Sequence, residues 1–343
     1  MKALKMPLLL LLSLALGLWT QAALAQKTKG DALVRAVESV GMTVSDMDRS
    51  VDFYSKVLSF EKVSDLGVSG SPYDQLQGLP KPRIRVVRMR LGDEFIELTE
   101  YLTPKGRPIP ADSRSNDHWF QHIAIVVSDM DRAYQRLRKY KVDHVSTAPQ
   151  RIPDWNEAAA GIRAFYFKDP DGHTLEIIHY PPGKGNPRWQ NAEGKLFLGI
   201  DHTAIAVSNT DKSLGFYRDL LGMKLGGESL NYGIEQEHLS GVAGARVRIN
   251  MLRANSGPGI ELLDYLNPRD GRPIPSDTRA NDLMHWQTRL ATREAESAAQ
   301  SLLAGKSVPV SPGVVGLPKA TLGFRKAFLV RDPDGHAIQL IEK

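Results

Sequence analysis

The chain has 343 residues, no cysteine and a formal net charge of +5 at neutral pH. This length is enough for two domains of ordinary size. The lack of cysteine excludes disulfides, thiol nucleophiles and thiolate metal ligands, and because the basic residues are scattered, we expect no nucleic-acid partner.

The first 25 residues have the pattern of a secretory signal peptide. Two lysines precede an apolar run at residues 6–19, and Ala23 and Ala25 form a cleavage site of small residues. The run is shorter than the ~20 apolar residues of a membrane-spanning helix. We therefore expect cleavage before Gln26 and a periplasmic or secreted protein without a stable membrane anchor.

The rest of the chain is a tandem duplication. Residues 106–117 return as residues 271–282 with nine of the twelve positions identical, and residues 169–173 return as 332–336. Two such matches in the same order indicate that one half of the chain repeats the other. Each half can therefore be compared with its sister position by position.

Each half contains a shorter repeat as well. Residues 44–50, 127–133 and 207–213 each follow an apolar run of strand character and open a stretch with apolar residues at helical spacing. Ser and Asp at these junctions favour helix starts, because their side chains accept hydrogen bonds from the first free amides. A fourth copy, at 288–303, keeps the helical pattern without this polar start. The sequence thus predicts four modules, each led by a strand and a helix.

Proline and glycine mark the boundary between the predicted domains. Residues 181–187 cannot continue a strand or a helix, so we place a linker at 181–195. The flanking domains, at 36–180 and 196–343, would each contain two modules.

Acidic side chains recur in the last strand of the modules. Glu97, Glu176 and Glu261 lie among apolar residues, and Gln339 takes the same place in the fourth module. Side chains alternate along a strand, so each of these could simply face solvent. Their recurrence in three of the four modules favours a role as ligands.

Histidines recur in the opening strands. His122 and His202 each lie five residues before the repeated Val-Ser, where the other two modules have Ser39 and Gln287. A lone histidine in an apolar strand is usually a core residue. Two at the same repeat position, each matched to a glutamate, favour a metal-ligand set.

These features resemble the vicinal oxygen chelate superfamily, which includes glyoxalase I, extradiol dioxygenases, methylmalonyl-CoA epimerase and the bleomycin-resistance proteins. The resemblance rests on the strand-opening histidine, the Val-Ser-Asp helix start, the following Phe-Tyr and the Asp-Pro-Asp-Gly-His turn. It covers essentially all of the chain after residue 25. It implies an α+β fold in which four βαβββ modules pair into two tandem cupped-sheet domains. It also implies a divalent metal held by His, Gln or Glu from the first and last strands.

Transferred to this chain, the resemblance implies two ligand sets. The first domain would offer Ser39, Glu97, His122 and Glu176, and the second His202, Glu261, Gln287 and Gln339. One imidazole and two carboxylates suit Fe(II), Mn, Zn or Ni, so we expect the metal in the first domain, with Glu97 or Glu176 as catalytic base. A weaker metal site would lie around His202 and Glu261.

The resemblance leaves the reaction open, because this fold hosts several chemistries. We expect an exported, metal-dependent, glyoxalase-like lyase or isomerase that acts on a small oxygenated molecule. The alternatives are a metal-free protein that sequesters a small ligand and a ring-cleaving dioxygenase with an atypical ligand set. The sequence does not predict the oligomeric state.

The long repeats also carry paired arginines. Arg107 and Arg272 could clamp an anionic ligand, but we favour ion pairs with a carboxylate such as Asp112 or Asp277. The histidines that end the Asp-Pro-Asp-Gly turns are expected to be solvent-facing turn residues.

Overall fold

All four predicted modules are present, and each combines helix with strands of a mixed sheet. The computed structural model describes residues 32–318 and 320–343. Within them, residues 33–343 form one compact unit. The predicted signal peptide and its cleavage site lie outside the described residues. No helix of the described part is long and apolar enough to cross a membrane.

The first half of the chain supplies modules 1 and 2. Module 1 consists of β1 (Val34–Val44), α1 (Met47–Lys56), β2 (Glu61–Ser69), α2 (Ser71–Gln77), β3 (Arg83–Leu91) and β4 (Glu94–Thr103). Module 2 consists of β5 (Phe120–Val127), α3 (Met130–Lys139), β6 (Asp143–His144), β7 (Gln150–Arg151), β8 (Arg163–Lys168) and β9 (Thr174–His179).

The second half supplies modules 3 and 4, after a 3₁₀ turn at Pro187–Gln190. Module 3 consists of β10 (Phe197–Ala206), α4 (Thr210–Leu214), a π-helical turn (Gly215–Leu220), β11 (Lys224–Tyr232), α5 (Ile234–Ser240), β12 (Arg246–Arg253) and β13 (Gly259–Asn267). Module 4 consists of β14 (Trp286–Thr292), α6 (Ala295–Ala304), β15 (Val308–Pro309), β16 (Val315–Gly316), β17 (Lys326–Arg331) and β18 (Ala337–Glu342).

The polar helix starts are confirmed in three modules. The side chains of Asp46, Asp129 and Asn209 each accept a hydrogen bond from the backbone amide three residues later, at 2.9 to 3.0 Å. Such a bond satisfies one of the free amides of the first helical turn. Helix α6 instead follows Glu294, whose side chain makes no capping bond.

The strands form two nine-stranded sheets, and each sheet takes one module from each half. Sheet A joins modules 1 and 4 in the order β15-β17-β18-β14-β1-β4-β3-β2, with β16 beside β17. Sheet B joins modules 2 and 3 in the order β11-β12-β13-β10-β5-β9-β8-β6, with β7 beside β8. At the centre of each sheet the two opening strands pair antiparallel, β1 with β14 and β10 with β5.

The α+β class and the two sheets of paired modules are therefore confirmed, but the expected pairing within each half is wrong. We expected residues 36–180 to close one sheet and residues 196–343 the other. Every module offers its opening strand as an edge that needs a partner. The four edges are alike in sequence, so the repeat pattern could not show which two would meet.

The helices that follow the opening strands, in contrast, pack within each half. One buried cluster joins Val40 and Tyr54 of module 1 to Ile123 and Phe165 of module 2. A second cluster joins modules 3 and 4 through side chains such as Tyr217 and Phe328. Sheets that pair across the halves and cores that pair within them make the two halves interdependent.

The paired arginines tie the two halves together. Arg107 donates to the carboxylates of Asp277, at 2.7 Å, and Asp282, at 2.7 Å. Arg272 makes the reciprocal bonds to Asp112, at 2.8 Å, and to Asp117, at 2.7 Å. The ion-pair interpretation is thus confirmed, with the partners exchanged between the repeats.

The turn histidines are buried, which corrects the solvent-facing expectation. The ring of His173 bonds the carboxylate of Asp169 and the carbonyl oxygen of Leu283, each at 2.8 Å. Nε2 of His336 lies 3.0 Å from the carbonyl oxygen of Ala206. Both rings serve the packing of one module against another, because each bonds an element outside its own turn.

Candidate metal centre

Sheet B brings four of the predicted ligands together. His122 and His202 lie on the central strands β5 and β10, and Glu176 and Glu261 on the strands that flank them, β9 and β13. The register is symmetric: His122 pairs with Ala204 and His202 with Ala124, and these alanines are flanked by Glu261 and Glu176. The small alanines leave space between the four larger side chains.

The polar atoms of this cluster converge on one point. Nε2 of His122 lies 3.0 Å from Oε2 of Glu176 and 3.4 Å from Nε2 of His202. Nε2 of His202 lies 3.5 Å from Oε2 of Glu176 and 3.5 Å from Oε2 of Glu261. Ligand atoms of His122, Glu176 and His202 all lie within 4.8 Å of one another, and the three residues are buried.

Neighbouring residues fix which ring nitrogens face this point. Nδ1 of His202 lies 3.0 Å from the carboxylate of Asp201, which can only accept, so Nδ1 carries the proton. Nδ1 of His122 contacts Oε1 of Gln121 in the same way. Both Nε2 atoms therefore turn their lone pairs towards the cluster, as histidine ligands of metals do.

With both imidazoles neutral, the cluster gathers acceptors without donors. Oε2 of Glu176 has no hydrogen-bond partner among the described residues. Two imidazole lone pairs and a buried carboxylate at 3.0 to 3.5 Å repel one another unless a cation lies between them. Nitrogen and oxygen donors of this kind fit a divalent metal ion.

The pKa values also indicate that the cluster needs a cation. Burial would raise the pKa of Glu176, but the imidazoles of His122 and His202 lower it to about 2. Burial would lower the pKa of His202, but the carboxylates of Glu261, Asp201 and Glu176 raise it to about 10. Without a metal, the cluster holds a proton in its place.

Asp201 supports the centre through the Nδ1 side of the His202 ring. Its carboxylate accepts hydrogen bonds from the indole of Trp189, at 2.9 Å, and the guanidinium of Arg253, at 2.8 Å. Burial would raise the pKa of Asp201, but the bonds from His202 and Arg253 hold it well below its usual range. Asp201 therefore stays an anion at any ordinary pH, and in this form it can orient the ring of His202.

The centre opens into a cavity of about 400 Å³. Glu176, His202 and Glu261 line this cavity, together with the tyrosines Tyr166 and Tyr265. Burial raises the pKa of Glu261, and its side chain is 15% exposed against 5% for Glu176. Glu261 is thus the more accessible carboxylate and the better proton acceptor.

Sheet A carries a guanidinium at the equivalent place. By strand position, Gln287, Ser39, Gln339 and Glu97 correspond to His122, His202, Glu176 and Glu261. Arg289, which pairs with Ser39 as Ala124 pairs with His202, donates to Oε1 of Gln339 at 2.7 Å and to Glu97. Arg289 and Glu97 are both 4% exposed. In sheet A a guanidinium therefore lies where the ligand atoms of sheet B converge.

The expected grouping of Glu97 with His122 and Glu176 is corrected accordingly. Glu97 lies in the other sheet, where Arg289 neutralises it. His202 and Glu261, which we had assigned to a weaker second site, join the first-half ligands because β10 pairs with β5. Sequence reasoning missed Arg289, although the 165-residue offset sets it against Ala124 and shows an arginine in place of an alanine.

The chain belongs to the Glyoxalase/Bleomycin resistance protein/Dioxygenase superfamily, whose family model matches residues 36–177 and 199–340. It is 34% identical over 168 residues to the 2-epi-5-epi-valiolone epimerase of an Actinomyces species, covering 47% of this chain and 87% of that protein. It is 24% identical to glyoxalase I of Saccharomyces cerevisiae over 54% of this chain and 56% of that protein. The crystal structure of glyoxalase I from Zea mays superposes with a TM-score of 0.55 at 16% identity, covering 90% of this chain and 92% of that one.

Proposed function

We propose that this protein is a metal-dependent lyase or isomerase that moves a proton at a carbon next to a carbonyl group of a small oxygenated molecule. The observation that carries this proposal is the convergence of two imidazoles and two glutamates on one point, beside a cavity of about 400 Å³. The similarity to an epimerase and to glyoxalase I supports chemistry of this kind.

The two glutamates have different roles in this proposal. Glu176 contacts both imidazoles, and with a pKa of about 2 it stays an anionic ligand together with His122 and His202. Glu261 lines the cavity, and burial raises its pKa, so it is the base that accepts the substrate's proton. A bound divalent ion would polarise the substrate's carbonyl oxygen and acidify the adjacent C–H. This assignment replaces Glu97 as a candidate base and moves the role from Glu176 to Glu261.

The exchange of substrate protons tests this proposal. Protein loaded in turn with Zn²⁺, Ni²⁺, Mn²⁺ or Fe²⁺ is incubated in D₂O with small α-hydroxy ketones, hydroxyacetone first, and loss of the α-proton signal is followed by NMR. The change Glu261→Gln should slow exchange by roughly 10²- to 10⁴-fold, the usual contribution of a general base, with metal still bound. The matched control is Ser39→Ala, at the equivalent region of sheet A, which should leave the rate unchanged. Exchange that survives Glu261→Gln contradicts the assigned base.

A ring-cleaving dioxygenase is the second candidate. Its support is the group of two histidines and one carboxylate, His122, His202 and Glu176, which is the ligand set of many non-haem iron oxygenases. Glu261 argues against it, because a second carboxylate 3.5 Å from His202 would fill a position that oxygen needs. Oxygen uptake by the Fe²⁺-loaded protein with a catechol would favour the dioxygenase over the isomerase.

We also propose that the protein is exported and cleaved before Gln26, on the strength of the N-terminal charge, the short apolar run and the Ala-x-Ala pattern. Mass spectrometry of the protein from its native host should find the mature chain starting at this glutamine. A chain that keeps its first 25 residues in the cytosolic fraction would contradict export.

A further inference from the structure

One buried amide in the cavity of sheet B lacks a partner. Gln236, on helix α5, is 4% exposed and lines the same cavity as Glu176, His202 and Glu261. Its Oε1 atom has no hydrogen-bond partner in the described part of the chain. A buried amide oxygen left without a donor is costly, so such an atom calls for a ligand or a bound water.

The sister module shows that this polarity is not required by the fold. Helix α2 of module 1 matches α5: each follows a glycine with positive φ, Gly70 or Gly233, and each ends at a left-handed glycine eight residues later. The residue of α2 that corresponds to Gln236 is Tyr73. Tyr73 packs into an apolar cluster with Phe324 and Leu329. Module 3 therefore has a cavity-lining amide at the helix position where module 1 has a packed aromatic ring.

The charges of the cavity are balanced when a divalent ion is present. Among the described residues that line it, the only lysine or arginine is Arg253. The Arg253 guanidinium bonds the side chain and the carbonyl oxygen of Asp201, at 2.8 and 2.7 Å. The cavity is lined by three carboxylates, those of Glu176, Glu261 and Asp201, whose negative charge this guanidinium and a divalent ion would together balance. No surplus positive charge is left for a phosphate or carboxylate of a substrate.

The remaining polar groups suit hydroxyls. Asn231 and Ser229 line the cavity beside Gln236, and Oδ1 of Asn231 accepts from the buried amide of Asn156 at 2.7 Å. Amides and hydroxyls can each donate and accept, so they bond the hydroxyl groups of a polyol without a charge.

An exposed aromatic pair adjoins this amide pair in the sequence. Trp155 and Tyr232 are adjacent to Asn156 and Asn231, are 49% and 45% exposed, and have ring centroids 4.3 Å apart. The pair is therefore next in sequence to Asn231, which lines the cavity, and to Asn156, which bonds Asn231.

We propose that the substrate is an uncharged, polyhydroxylated carbonyl compound, and that Gln236 is a specificity-determining residue that bonds one of its hydroxyls. This inference rests on the proposed function and deepens it. An anionic substrate would contradict this inference, and so would a water molecule as the permanent partner of Gln236.

Calorimetric titration of the Zn²⁺-loaded full chain tests the inference, with myo-inositol as a neutral ring polyol and myo-inositol 1-phosphate as its anionic counterpart. The first should bind more tightly than the second. The change Gln236→Leu should weaken myo-inositol binding roughly tenfold, the effect of one buried hydrogen bond. Gln75→Leu is the matched control, because this exposed glutamine lies on α2 of module 1, and it should not alter binding. Zinc content and thermal unfolding of both variants are measured alongside.

The outcomes separate this inference from the proposed function. Tighter binding of the phosphate, or equal binding of both compounds, would overturn the inference. Absence of myo-inositol binding up to tens of millimolar, or an unchanged affinity in Gln236→Leu, would show that water is the partner of this amide and also overturn it. In each case a zinc-loaded, proton-exchanging protein would leave the proposed function standing, whereas a parent that takes up no metal would defeat the proposed function itself.

Discussion

Replacing Arg289 tests whether sheet A depends on a guanidinium instead of a metal. The change Arg289→Met removes the cation from a pair whose members are each 4% exposed. Breaking a buried ion pair by removing one partner typically costs about 3–5 kcal/mol, because the other charge stays buried without compensation. Arg88 lies 4.0 Å from Glu97 and can compensate in part. The expected loss of stability therefore lies near the lower limit, about 3 kcal/mol.

The predicted change in melting temperature follows from the size of the unit. At ~2.1 cal/mol/K per residue, the described unit, 33–343, unfolds with an entropy of about 0.65 kcal/mol/K, so 3 kcal/mol corresponds to about 5 °C. Differential scanning calorimetry of the parent, Arg289→Met, and the double variant Arg289→Met/Glu97→Gln measures it. The double variant should recover most of the loss, since it removes the orphaned charge as well. An unchanged melting temperature in Arg289→Met, or loss of bound metal from it, would refute the reasoning.

Three further predictions concern sheet B. When the two halves, residues 27–182 and 183–343, are produced separately, they should bind metal only after they are combined. The reason is that each half supplies one histidine and one glutamate. Metal bound by either half alone would contradict the pairing of β5 with β10. Asp201→Asn should weaken metal binding by about 10- to 100-fold, as loss of a carboxylate behind a histidine ligand usually does. An unchanged affinity would show that the charge of Asp201 does not support His202 as a ligand. The pKa of His202 is about 10 in the metal-free protein against an ordinary 6.5, so this ring is protonated at pH 8 and must lose its proton to bind metal. Metal binding at pH 8 should thus release one proton, measured by calorimetry in buffers of different ionisation enthalpy, and affinity should rise with pH up to about 10; a pH-independent affinity contradicts it.

The modules and their side chains were predictable because they depend on local pattern. Alternating apolar residues, polar helix starts and fixed offsets placed His122, Glu176, His202 and Glu261 at equivalent strand positions, and the structure has them there. These features depend on residues close in sequence, and the duplication supplied an internal comparison for each one.

The pairing of the modules depends on contacts that no local pattern records. β1 could have met β5 instead of β14, because the opening strands of all modules present similar edges. The observed pairing is accompanied by packing of the long helices within each half and by ion pairs of Arg107 and Arg272 with carboxylates of the opposite repeat. We grouped Glu97 with the wrong ligands because we expected module 1 to pair with module 2. Its equivalence to Glu261 by strand position is correct, but it lies in the other sheet.

Metal content per chain is the most direct test of a single centre shared by both halves. Metal analysis is made on the parent, His122→Ala, His202→Ala and the sheet A control Gln287→Ala, each reconstituted with Zn²⁺ and desalted. We predict one ion per chain in the parent and in the control, and near-complete loss in both histidine variants, because each histidine faces the same point of sheet B. Loss in His122→Ala with retention in His202→Ala, or two ions per chain in the parent, would contradict the account.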